Sequence, residues 1–434
     1  MTEHLRVYLD SSFAGDLHQD GNGRVSFDYD DGYRGSDDST PLSFVIDLRV
    51  THQKPSHVRN WFDGLLPDNI AVREEWSRKY QVSARNPLAL LRHVGRDAAG
   101  AIQVIPDGEE ADDSAARTGS IEWLTDDDLE SVLNGLRTHR GDWGREFRNG
   151  RWSLAGAQNK VALHHDGDRW GVPLDSTPTT HILKTSIGGF DLHDINEYAC
   201  QRAARYLRIP AATTSLLTVG DERALVSTRY DRVKTEKGWR RVHQEDVCQA
   251  LGVAPASKYQ NDGGPGVSAF KQVFSRFKTA SARESAVSQF FDYLAFNVII
   301  GATDAHAKNF SVLHSGPESA LAPLYDLASA LPYLTERIES HGLRTELPRS
   351  ALKIGSTYDL PHIGESDIAR CARSLNLSAD YGVQRYRDLA EAVPPAFENI
   401  AEGLGEPSHA RFVRDLAARI EAHVNGRWRN GLLL

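Results

Sequence analysis

Apolar positions change their period along this chain. Between residues 4 and 50 they fall in short runs, "LRVYLD", "GRVSFDYD" and "SFVIDLRV", separated by Gly- and Asp-rich punctuation. This pattern predicts strands at 5–10, 23–30 and 43–50. Residues 57–80, "HVRNWFDGLLPDNIAVREEWSRKY", carry a helical pattern on either side of Pro67. The polar, aperiodic stretch 109–120 reads as a linker. "TDDDLESVLNGL" opens an acidic helix with Thr125 as its cap. Residues 151–184 and 213–230 alternate as hairpins, the first turning at Asp166-Gly167. From about 240 onward the period is mostly helical. The expected fold class is therefore α+β. It has a small β-rich N-terminal unit (1–110), a β-rich lobe with one helix (111–232) and a helical lobe (233–434).

Composition narrows the class without naming a function. The 434 residues are 40% hydrophobic and 25% charged, as in an ordinary globular chain with room for two or three domains. No apolar run approaches the roughly 18–20 residues of a membrane span, and the N-terminus lacks a signal-peptide core. Cys200, Cys248 and Cys371 stand far apart, which argues against a disulfide framework and a cysteine-rich zinc site. A cytoplasmic setting with no membrane partner is expected. The net charge of −9 argues against a nucleic-acid binder acting alone.

The densest chemistry lies in "FNVIIGATDAHAKNFSVLHSG", residues 296–316. Val287, Phe290, Phe291, Leu294 and Val298 form the stripe of a buried helix. Gly301 sits where a left-handed cap is expected. Asp304, His306, Lys308 and Asn309 then crowd a loop leaving a fixed helix. "NFSVL" reads as a strand, "HSGPES" as a turn and "ALAPLYD" as the returning strand. That ribbon would set Asn309 opposite Tyr325 and Asp326, where paired side chains lie about 5 Å apart at Cβ. An amide oxygen and a carboxylate there could share Mg²⁺, which takes oxygen ligands and keeps phosphate oxygens among them.

Protein kinases place an Asn five residues after the proton-accepting Asp, and a second metal-binding Asp later. Asp304, Asn309 and Asp326 keep that order. Lys184, on the short strand "HILK", has the place of the lysine that contacts ATP phosphates. "SLAGAQNKVAL", bent at Gly156, has the place of the phosphate-covering turn, although a single glycine is weak evidence. Other features have plainer readings. In "DINE", Asp194 and Glu197 fit a helix capping box better than an ion pair of Glu197 with Lys184. His164 and His165 read as an exposed pair. "NDGGPG", 261–266, must be a loop, with its role open.

These blocks together resemble the HipA family of bacterial serine/threonine kinase toxins. The resemblance rests on "WFDGLLPDN", "SLAGAQNKVAL", "HILK", "NEYACQ", "RYDR", "HQEDVCQALGV", "KYQNDGGPG", "IGATDAHAKNFSV", "LYDLASA" and "LKIG", and spans nearly the whole chain. It implies a two-lobed kinase-like fold with an extra N-terminal subdomain. It implies Asp304 as the proton acceptor and Asn309 with Asp326 as Mg²⁺ ligands. ATP would be contacted by Ala155, Gly156, Ala157, Gln158, Asn159 and Lys160, by Lys184, by the hinge Thr228, Arg229 and Tyr230, and by His306, Ala307, Lys308, Asn309, Tyr325 and Asp326. Ser153 would be the autophosphorylated serine. Implied partners are a HipB-like helix-turn-helix antitoxin, operator DNA bound through that antitoxin, and an aminoacyl-tRNA synthetase as protein substrate. Two departures stand out: "DLAS" replaces D-F-G, and Thr228 stands where some members carry an acid. A kinase acting on a small molecule, or a pseudokinase serving only as a repressor subunit, remain alternatives. The C-terminal stretch 408–430 carries Arg411, Arg414, Arg419, Arg427 and Arg429 beside an apolar stripe of Phe412, Leu416, Ile420 and Val424. These arginines read first as a solvated helix face.

Overall fold

In a computed structural model, the described residues are 3–109, 120–138, 153–156, 158–174, 177–236, 238–334, 347–429 and 432–433. Nearly all of the expected linker, and Ala157 of the phosphate turn, lie outside them. The chain divides into two compact units. One comprises Met1–Thr185, Leu216–Ala256 and Ser311–Ala320; the other comprises Ser186–Ser215, Ser257–Phe310 and Leu321–Leu434.

The first unit holds two main sheets. The N-terminal one has the order Val25–Tyr29, Ser12–Gln19, Glu3–Leu9, Ile102–Pro106, with antiparallel neighbours. Two of its strands match the expected runs. The other two, Ser12–Gln19 and Ile102–Pro106, are not among the expected ones, and residues 43–50 form no strand beyond an isolated bridge between Ser43 and Ile46. The cause is tertiary. The Ser43 hydroxyl and Phe44 N–H both donate to the buried Glu245 carboxylate, at 2.5 and 3.0 Å, which diverts this segment from a ladder. Helices Pro55–Asp63 and Ile70–Tyr80 flank Pro67 as expected.

The second sheet has the order Ile121–Trp123, Arg169–Pro173, Lys160–Asp166, His181–Lys184, Glu222–Thr228, Thr214–Val219. Its helix, Asp126–Thr138, is capped by Thr125: the Thr125 hydroxyl meets Asp128 N–H at 3.2 Å, and Asp128 accepts back from Thr125 N–H at 2.9 Å. His164 corrects the expectation of an exposed pair. It is buried, with a ring nitrogen 2.8 Å from the Pro178 carbonyl, while His165 lies against Trp170. The inward positions of both sheets, among them Leu5, Val7, Phe27, Val161 and Leu183, join one apolar core with helix residues such as Trp61.

The second unit is mainly helical. Its central helix, Ala280–Ile299, packs Phe290 face to face with Phe270 at 4.5 Å, and Phe310 meets both rings edge-on. Helices Ala379–Glu402 and Pro407–Val424 close the unit. The C-terminal stripe is shifted from the expected one: Val413, Leu416 and Ile420 are buried, and Phe412 is only partly so. Arg411 and Arg414 face outward, whereas Arg419 turns in and donates to the Leu331 carbonyl at 3.4 Å. The Arg429 side chain lies outside the described residues. No described helix is long and apolar enough to cross a membrane.

Candidate active site

The loop bearing Asp304 is anchored at both ends. At its start the central helix ends in a Schellman turn: Gly301 N–H donates to Val298 O at 3.1 Å and Ala302 N–H to Asn297 O at 2.9 Å. Gly301 has φ +68°, and a Cβ there would lie 2.6 Å from Leu331, so glycine is required for both backbone and packing reasons. At its end, Phe310 is sunk in the aromatic core. Between these anchors the chain makes a tight turn. The Asp304 carbonyl accepts from His306 N–H at 2.8 Å and from the Asn309 side-chain amide at 2.7 Å. Ala307–Asn309 form a single 3₁₀ turn, and Ala307, Lys308 and Asn309 are buried.

The Asn309 bond fixes which end of the amide points where. A backbone carbonyl only accepts, so the NH₂ group must face Asp304. Oδ1 is therefore the end left to act as a ligand. The Asp304 carboxylate is itself 66% exposed; it accepts from the Tyr259 hydroxyl at 2.5 Å and lies 3.8 Å from His306 Nε2. An exposed carboxylate beside a fixed amide oxygen suits proton acceptance and cation binding at adjoining positions.

The returning strand differs from expectation. Ser311–Ser315 and Glu318–Leu321 are neighbours in a sheet, but the second strand stops at Leu321. Pro323 has no N–H for a ladder. Leu324 pairs instead with residues 210–212: its N–H donates to Pro210 O at 2.9 Å and its carbonyl accepts from Ala212 N–H at 2.7 Å. Asn309 and Asp326 are thus not ladder partners. The Tyr325 hydroxyl nonetheless returns to the Lys308 carbonyl at 2.7 Å. Asp326 has φ +58°, a conformation uncommon outside glycine and often associated with functional sites.

A residue the sequence reading passed over holds this second loop. Both ends of the Asn196 amide bond Ser329: Nδ2 donates to its carbonyl at 2.8 Å, and Oδ1 accepts from its N–H at 3.0 Å. Ala330 N–H then donates to the Gly301 carbonyl at 3.1 Å, tying the Asp326 loop to the start of the Asp304 loop. The capping-box expectation for "DINE" fails. The helix His193–Tyr206 begins after Leu192 at φ +53° with no side-chain cap, and Glu197 accepts instead from Gln201 at 3.0 Å. The signal for Asn196 lay in the same tetrapeptide, as a polar residue on a face otherwise filled by Ile195, Ala199 and Ala203.

In the first unit, Gly156 has φ +110°, and a Cβ there would lie 2.4 Å from Lys160 Nζ. The space a side chain would take holds the Lys160 ammonium, which donates to the Ala155 carbonyl at 2.6 Å. Gln158 donates to the Thr185 carbonyl at 3.2 Å and Asn159 to the Leu136 carbonyl at 3.1 Å, so these two amides brace the turn. Lys160 and Lys184 are register partners on adjacent strands, and both are buried. Ser153 is fully buried. Its hydroxyl donates to the Leu65 carbonyl and its N–H to the Asp97 carbonyl, each at 2.8 Å.

At the hinge, Arg229 N–H donates to Thr180 O at 2.9 Å and Tyr230 Oη to Gln244 at 2.6 Å. The Arg229 guanidinium is committed elsewhere, bidentate on Asp231 at 3.0 and 2.8 Å and bonded to Thr179 at 2.9 Å. Any nucleotide contact it makes must come from its backbone. This guanidinium belongs to a buried network with Asp97, Asp231, Arg232 and Arg241. Burial alone would raise the Asp97 carboxyl, but Arg232, Arg241 and Arg229 outweigh it and hold it well below the usual carboxylate range. Burial lowers Arg232 to about 10, with repulsion from Arg229 adding to it.

Among the described residues no three His, Cys, Asp or Glu side chains gather as a metal cluster. The expected donors, an Asn oxygen and an Asp carboxylate, are hard oxygen ligands that fit Mg²⁺ carrying phosphate oxygens.

Comparison with known proteins places the chain in a family. Residues 5–105 match the HipA N-terminal domain and 152–400 the HipA-like C-terminal domain. Y4mE of Sinorhizobium fredii, which bears the name of a kinase, is 31% identical over 401 residues, 92% of each chain. The serine/threonine-protein kinase toxin HipA of Shewanella oneidensis is 26% identical over 375 residues, 83% of this chain and 81% of that one. A solved structure of Shewanella oneidensis HipA with HipB and its operator DNA superposes with a TM-score of 0.81 at 23% identity, covering 99% of this chain and 98% of that one. The α+β, kinase-like fold expected from the sequence is the fold found, and the chain belongs to the HipA family.

Proposed function

We propose that this chain is an ATP- and Mg²⁺-dependent serine/threonine kinase acting as the toxin of a toxin–antitoxin module. Asp304 orients the acceptor hydroxyl and takes its proton. Asn309 Oδ1 and Asp326 hold Mg²⁺, which neutralises charge on the phosphates when bound. Lys184 contacts the ATP phosphates, and the Ala155–Lys160 turn covers them. The backbone of Thr228–Tyr230 reads adenine. Positioning and charge neutralisation supply most of the rate. The observation that carries this reading is the Asp304–Asn309 turn, in which the amide nitrogen is spent on Asp304 O, which leaves the amide oxygen for a ligand.

The finer proposal is that the protein substrate is an aminoacyl-tRNA synthetase, whose phosphorylation stalls translation. Incubation with γ-labelled MgATP in cell extract tests it. Label on a synthetase is expected; label on a small metabolite alone would favour the alternative kinase class. We also propose a HipB-like antitoxin that reads operator DNA while this acidic chain adds modest affinity. Tight, sequence-specific operator binding by this chain alone would contradict that division.

Ser153 is the proposed autophosphorylation site. Its buried hydroxyl points at a carbonyl, where a phosphate of about −1.5 to −2 charges has no place. Modification would therefore require the segment to leave its seat and would hold it out, lowering ATP affinity. Phosphate mapped elsewhere, with Ser153 unmodified, would remove this switch.

A further inference from the structure

We propose that Tyr259 is a positioning residue for Asp304, and that the glycine-rich loop 257–266 exists to hold it there. The inference rests on the kinase reading of Asp304. A proton-accepting carboxylate must sit within hydrogen-bond reach of the hydroxyl it serves. Asp304 is poorly placed to do this unaided. It is a short side chain, 66% exposed, on a loop rather than a helix or strand. Its carboxylate is restrained by the Tyr259 hydroxyl at 2.5 Å, with His306 Nε2 farther off at 3.8 Å.

Tyr259 is in turn fixed both by the catalytic turn and by its own loop. Its ring stands edge-on to His306, with centroids 4.9 Å apart. The preceding carbonyl, of Lys258, accepts from Ala307 N–H at 3.2 Å, so the two loops are joined by backbone as well as by side chain. The Tyr259 carbonyl accepts from Asp262 and Gly264 N–H at 3.1 and 2.9 Å, closing the loop on itself. A Cβ at Gly264 would lie 2.2 Å from the Ser257 carbonyl oxygen and 2.7 Å from that of Tyr259, so no other residue fits there. Gln260 fastens the far side by accepting from Lys353 N–H at 2.8 Å.

The chemistry suits the task. A phenol hydroxyl donates to the carboxylate without competing for the acceptor's proton. It engages Oδ1 and leaves Oδ2 for the acceptor hydroxyl.

The test is Tyr259→Phe, which removes the hydroxyl and keeps the ring on His306. Phosphate transfer from γ-labelled MgATP is followed to whichever protein the wild-type chain labels, itself or one in extract. The expected result is a fall in kcat of about tenfold or more, with KM for ATP, MgATP affinity and melting temperature near wild type. A structural role would instead move the melting temperature or ATP binding. Wild-type kcat in Tyr259→Phe, or a loss of kcat matched by a loss of MgATP affinity, overturns the inference. Asp304→Asn separates the two levels. If it is inactive while Tyr259→Phe is fully active, only the positioning role fails; if it remains active, or if the wild-type chain labels nothing, the kinase reading fails with it.

Discussion

Asp97 and Asp304 are the same residue type in opposite settings. Asp97 is buried, with both oxygens saturated by Thr179 and by the guanidiniums of Arg229, Arg232 and Arg241. Asp304 is mostly exposed, and its carboxylate meets one hydroxyl and a more distant imidazole. A saturated, buried carboxylate cannot accept a proton from a substrate without dismantling its own surroundings. An exposed one on a fixed turn can, and its removal leaves little unsatisfied. Structural and chemical acids therefore separate by what surrounds them, and each should fail in a different assay.

The largest expected effect is on the structural side. Asp97→Ala leaves three buried guanidiniums short of a counter-charge and should cost about 3–5 kcal/mol of stability. Urea unfolding checks this; a loss under 1 kcal/mol would mean that the network relaxes or hydrates without Asp97.

Acid titration sharpens the same contrast. Burial, with the nearby His314, depresses His243 to about 4. Its folded value lies below the unfolded value of about 6.5, so the unfolded chain binds the proton first. Its contribution is complete above pH 6.5 and is lost as the pH falls toward 4, by up to about 3 kcal/mol. Asp97 is depressed too, so its share is complete above the ordinary carboxylate range near 4 and is lost only at still lower pH. Melting temperatures between pH 7 and 4 should fall in wild type and fall less in His243→Phe, provided that variant folds.

Asn196→Ala should cost about 1–3 kcal/mol, because Ser329 loses partners for both its N–H and its carbonyl. It should also weaken MgATP binding, since the Asp326 loop hangs from that contact. Nucleotide titration beside a melting curve reads both effects, and unchanged affinity would detach Asn196 from the site. The smallest effect belongs to the hinge. Thr228→Ala should leave ATP affinity within about twofold if backbone groups alone read adenine.

Local sequence carried much of this. The apolar stripe ending at Gly301, the five-residue step from Asp304 to Asn309, and the Thr125 cap each depend on neighbours within a turn or two, and each was legible. What misled was remote. Residues 43–50 look like a strand until Glu245 claims Ser43 and Phe44. The ribbon beyond Leu321 fails because Leu324 finds Pro210 and Ala212, although Pro323 in "ALAPLYD" was a warning. "DINE" has the letters of a cap, yet Leu192 takes a left-handed turn and Asn196 is drawn to Ser329. The network around Asp97 was invisible for the same reason: its members are scattered from residue 97 to 241 and meet only in the fold.

The most direct test of the central claim compares Asp304→Asn with Asp326→Asn in phosphotransfer and in MgATP binding. Asp304→Asn should abolish transfer while holding MgATP affinity within a few fold and the melting temperature unchanged. Asp326→Asn should lose both transfer and MgATP affinity. Turnover by Asp304→Asn above a tenth of wild type would contradict the account.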